Sequence, residues 1–70
     1  MRNFNHEMTL ALEARNQSIK TIADIGNLFG NPQITATAKL ATAHAISHLA
    51  LAAAHLTRLY QVLAHPGAKP

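Results

Sequence analysis

This 70-residue sequence predicts an all-α fold, a two-helix antiparallel hairpin, and three observations carry that prediction. Gly30-Asn31-Pro32 sets a helix terminator, a capping side chain and a helix-initiating proline in succession. Apolar residues recur at threes and fours on both sides of that turn, the period of a helix with one buried face. Nine alanines between Ala36 and Ala54 add the strongest intrinsic helix former.

Asn5 is the expected N-cap of helix one, with Glu7 in the first turn where a carboxylate meets the positive end of the macrodipole. Helix one is expected over residues 6–29. Its apolar stripe reads Met8, Ile22 and Phe29 at one heptad position and Ala11 and Ile25 at the next, with Leu12 and Ile19 beside them. Arg15 and Ser18 interrupt the stripe, and polar groups on a seam belong at its edge or fix register.

Helix two is expected over residues 32–64, closed by His65-Pro66-Gly67. Its main stripe reads Ala38, Ala45, Leu49, Ala52, Leu56, Leu59 and Leu63. A second row, Ala36, Ala43, Ala50 and Ala54, gives this helix apolar surface on two sides. Residues 1–65 thus form the hairpin domain, and the tail 66–70, with two prolines and a glycine, is expected to be disordered.

The two helices are expected to differ in length, near 36 and 50 Å at about 1.5 Å per residue. Folding back at Asn31 sets Met8 against the region of Ala53, so Leu56, Leu59, Tyr60, Val62 and Leu63 outrun helix one. Leaving such side chains wet forgoes about 1.5 to 3 kcal/mol each. A single core is also marginal at this chain length. The hairpin is therefore expected to dimerise into a four-helix bundle, with Leu49, Leu56, Leu59 and Leu63 as dimer-interface residues.

Charge is divided between the two halves. Arg2, Arg15 and Lys20 balance Glu7, Glu13 and Asp24 before the turn. After Gly30 there are Lys39, Arg58 and Lys69 with four histidines and no carboxylate. That makes helix two the basic one, yet three cations are too sparse for a typical nucleic-acid-binding arm. Absence of cysteine excludes disulfides and thiolate zinc sites and suits a reducing cytoplasm. The run Leu40 to Leu56 is short for a bilayer span and holds three histidines, and the N-terminal residues lack a secretory apolar segment. A cytoplasmic chain with no membrane contact is the expectation.

His44, His48 and His55 fall within about 40° of one another on helix two, beside Leu51, Arg58 and Val62. A zinc site shared by symmetry-related copies would use His44 and His48, but no carboxylate or thiol completes the set. Surface or interface use of this stripe is favoured, with no metal and no cofactor. Should the stripe meet its own symmetry mate, mild acid would crowd positive charges and weaken association. Arg58 and Tyr60 are residue types enriched at interface hot spots. His48, Leu51, His55, Arg58 and Tyr60 are the candidate partner-binding residues. No nucleophile with a base, no paired carboxylates and no phosphate-cradling glycine loop are present, so an enzyme is not expected.

The layout over residues 6–65, two helices about a Gly-Asn-Pro turn with a polar tail, resembles two groups of small homodimeric hairpin regulators. One comprises phage-encoded anti-activators of quorum-sensing transcription factors. The other is the plasmid repressor-of-primer protein, which binds paired RNA loops. The resemblance implies regulation by binding, through a larger protein such as a host transcriptional regulator. An RNA-binding hairpin is the alternative it offers, and a histidine-held metal bundle is a further one from the residues. RNA would call for basic and aromatic side chains along an exposed face, which helix one lacks.

Overall fold

The computed structural model describes residues 4–65, and these form two α-helices joined by a short connection. Helix α1 spans Asn5–Gly26 and helix α2 spans Ala36–Ala64. They pack side by side as a hairpin. The expected tail 66–70 and the first three residues lie outside the described residues.

Helix α1 begins one residue earlier than expected. Phe4 takes the N-cap position without a side-chain cap, and Asn5 is the first helical residue, its carbonyl accepting from Thr9 Oγ1 at 2.9 Å. Past Gly26 the chain tightens into a single 3-10 turn, Asn27–Gly30. Gly30 does not adopt a left-handed conformation, because the Asn31 amide reaches back to the Leu28 carbonyl at 3.1 Å and ends the turn without one.

Pro32 does not start α2. Asn31 is extended at φ −80° and ψ 117°, as a residue before proline must be, and its Oδ1 accepts from the Gln33 amide at 2.9 Å. The Ile34 amide then bonds to the Asn31 carbonyl at 3.2 Å, making a β-turn with proline in its second position. The asparagine side chain is therefore spent on the turn. Thr35 caps α2 instead, its Oγ1 accepting from the Ala38 amide at 3.1 Å. The C-terminal end falls at Ala64, as read from the sequence.

A stripe of half-buried positions, with Ala11, Thr42 and Ala53 buried, defines the seam. On α1 they are Phe4, Met8, Ala11, Arg15, Ser18, Ile22 and Ile25, and on α2 they are Ala38, Thr42, Ile46, Leu49, Ala53, Leu56, Tyr60 and Leu63. This spacing of threes and fours is that of an antiparallel coiled coil. Compared with the expected stripe, α2 is rotated so that Thr42, Ile46, Ala53 and Tyr60 face α1 while Ala45, Ala52 and Leu59 are exposed. Thr42 tolerates burial because its Oγ1 donates to the Ala38 carbonyl at 2.8 Å, satisfying the hydroxyl within its own helix.

Ala11 and Ala53, 4% and 9% exposed, are the buried apolar residues. Ala11 lies fifteen residues before the end of α1 and Ala53 seventeen after the start of α2, so both sit at nearly one level. That level brings Phe4 opposite Tyr60, and the expected overhang shrinks to the last turn of α2. Leu56, Tyr60 and Leu63 are accordingly half-buried, whereas Leu59 and Val62 remain exposed.

Candidate docking edge on the second helix

The side of α2 facing away from α1 is built by simple geometry. A helix advances 100° per residue, so with the seam on Thr42, Leu49 and Leu56 the opposite edge carries Leu40, His44, Leu51, His55, Arg58 and Val62. Leu40 and Leu51 are 59% and 57% exposed, and Val62 is exposed as well. The three stand eleven residues apart, close to three helical turns, and so form one row.

Around that row the polar groups are of one kind. All described carboxylates, Glu7, Glu13 and Asp24, belong to α1, so α2 itself offers no carboxylate to Arg58 or to its histidines. On α1, Lys20 Nζ meets Asp24 Oδ2 at 2.9 Å in an exposed i,i+4 pair, an interaction of about 0.3 to 0.5 kcal/mol. Arg15, half-buried on the seam, donates from its guanidinium to Asn16 Oδ1 at 2.8 and 3.2 Å. It is thereby turned along its own helix.

The sequence-predicted partner residues divide between two surfaces. His48, Leu51, His55 and Arg58 are exposed together on or beside the outer edge of α2. Tyr60 is half-buried on the seam and does not join them. Of the expected dimer-interface residues, Leu49, Leu56 and Leu63 are half-buried against α1, and Leu59 is exposed on the flank next to the seam. Leu40 was missed. Its signal was the eleven-residue interval to Leu51 and on to Val62, which a search for heptads passes over.

Among the described residues no group of three or more His, Cys, Asp and Glu side chains converges as a metal site, and His44 and His48 stand as a bare pair. No described helix is long and apolar enough to cross a membrane. The arrangement suits contact between surfaces: an apolar row, flexible cationic or imidazole flanks, and a stiff alanine-rich rod beneath them. No known family model, curated protein or solved structure matches this chain.

Proposed function

We propose that the chain is a non-enzymatic, homodimeric helical hairpin of the cytoplasm that docks on a larger protein and modulates it. Its most concrete form is an anti-activator that holds a transcriptional regulator. That last step rests on resemblance of layout to small hairpin regulators. The observation that carries the docking reading is the exposed row Leu40, Leu51 and Val62, flanked by Arg58 and three histidines on a helix without a carboxylate.

A fitting partner surface has an apolar groove for the row and acidic side chains at its rim. Burying each large side chain of the row contributes about 1.5 to 3 kcal/mol before ordering costs. The test is affinity capture from the source organism with the full chain as bait, comparing wild type with Leu51→Glu, Arg58→Glu and the α1 control Lys20→Glu. One regulator protein retained by wild type and the control, and lost with Leu51→Glu, supports the reading. Retention of nucleic acid alone, or protein capture indifferent to Leu51→Glu, overturns it.

A further inference from the structure

The hairpin is one helix layer thick. Its extents are 55 × 21 × 12 Å, and two stacked layers at an interaxial distance of about 8 to 10 Å would need a larger smallest dimension. No large side chain is fully buried among the described residues. The accessible surface of 5395 Å² compares with about 4,200 Å² for a compact folded chain of this 7.5 kDa mass. That excess, roughly 1,200 Å², is more than the about 800 Å² each partner contributes to a standard interface. The area suffices for a stable second layer.

Two broad faces flank the seam, and in antiparallel packing like heptad flanks share a face. One face carries Glu7, Leu10, Ala14 and Gln17 from α1. From α2 it carries Ala41, Ala45, His48, Ala52, His55 and Leu59, with the seam residue Leu63 at its inner border. The other carries Leu12 and Ile19 with Ala43 and Ala50. We propose that a second copy of this chain covers the first face, antiparallel, with α2 on α2 and α1 on α1. The two-fold axis crosses this face at the level of Ala52 and Leu12. This deepens the homodimer part of the proposed function and rests on that part alone, not on the identity of the docked regulator.

Pairs of large on small side chains suit one register. Inverting α2 about Ala52 sets Leu59 over Ala45 and Leu63 over Ala41, large side chain on small at both places. Inverting α1 about Leu12 sets Leu10 over Ala14. The two centres are found separately on each helix, yet they lie at one level of the hairpin, that of the buried pair Ala11 and Ala53. One two-fold operation therefore satisfies both helices.

The outer edge of α2 carries Arg58, which would meet a charge of its own sign there. The proposed face holds no lysine or arginine.

Since the chain has no cysteine, a single introduced thiol reports the geometry. The experiment pairs sedimentation of the full chain with oxidative cross-linking of Ala52→Cys and, on the other face, Ala50→Cys. Wild type should sediment as a dimer, and Ala52→Cys should close to a disulfide-linked dimer while Ala50→Cys does not. Leu59→Glu should raise the dimer dissociation constant about tenfold or more, with Ile19→Glu close to wild type. Ala45→Leu, which adds no charge and sits on an exposed position, should do the same by filling the place of Leu59, so a misfolded Leu59→Glu leaves the test intact. Dimers cross-linked through Ala50, or lost with Ile19→Glu but not with Leu59→Glu or Ala45→Leu, overturn the proposed face while sparing dimerisation. A monomer at all concentrations overturns both, and loss of regulator capture by an intact Ala52-linked dimer bears on the docking reading only.

Discussion

Replacing Ala53 by leucine probes the closest approach of the two helices. Ala53 is 9% exposed and level with Ala11 at 4%, so the added three carbons have no space to enter and must push the helices apart or leave their preferred rotamer. Such overpacking costs about 1 to 3 kcal/mol. For a domain of this size each kcal/mol lowers the melting temperature by about 4 to 8 °C, so the expected shift is a fall of roughly 4 to 24 °C. Ala54→Leu is the matched control: it makes the same exchange one residue on, at an exposed position, and carries the same small change in helix propensity. Both variants should be melted by circular dichroism at one protein concentration, since association shifts the apparent midpoint. If Ala53→Leu melts with Ala54→Leu, or above it, the helices do not meet at Ala53 and the assigned seam is wrong.

Thr35→Ala removes the hydroxyl that caps α2 and should cost about 0.5 to 2 kcal/mol, with faster hydrogen exchange at the Ala38 amide as the local sign. Thr42→Val should be neutral or stabilise by up to about 0.8 kcal/mol, since it exchanges a hydroxyl bonded to its own helix for a buried methyl; a loss above 1 kcal/mol in urea denaturation would point to a role for Oγ1 that the hairpin does not display. Asp24→Ala should change stability by no more than about 0.5 kcal/mol, because its pairing with Lys20 is exposed and local. Asn31→Ala should cost more than Gly30→Ala, as the former removes the bond to the Gln33 amide while a methyl at Gly30 meets nothing within 4 Å.

The hairpin itself was legible because its signals agree: alanine content, threes and fours on both sides, and a proline-marked turn. Local competition hid the details at the turn. Asn31 could cap either a helix or a β-turn, and Pro32 suits the first turn of one and the second position of the other, so neither residue alone places the start of α2. Rotation of α2 was hidden for a different reason. In a helix with alanine on every side, periodicity leaves the phase open, and the choice is made by residues that look polar: Thr42, which bonds its own backbone, and Tyr60, which can lie against Phe4 along an apolar ring. At the outer edge, the histidines with Leu51 and Arg58 were readable from angular position, whereas Leu40 lies three turns away and outside any heptad window.

The interval between Leu40, Leu51 and Val62 carries a consequence for handedness. The inner seam repeats every seven residues and favours a left-handed superhelix, whereas an eleven-residue repeat gives a right-handed one. Helix α2 thus offers along its outer edge the winding sense opposite to that of its inner seam. A foreign helix tracking the outer row would cross it with the opposite screw from α1, so a ligand evolved to imitate α1 would be the wrong shape for that groove.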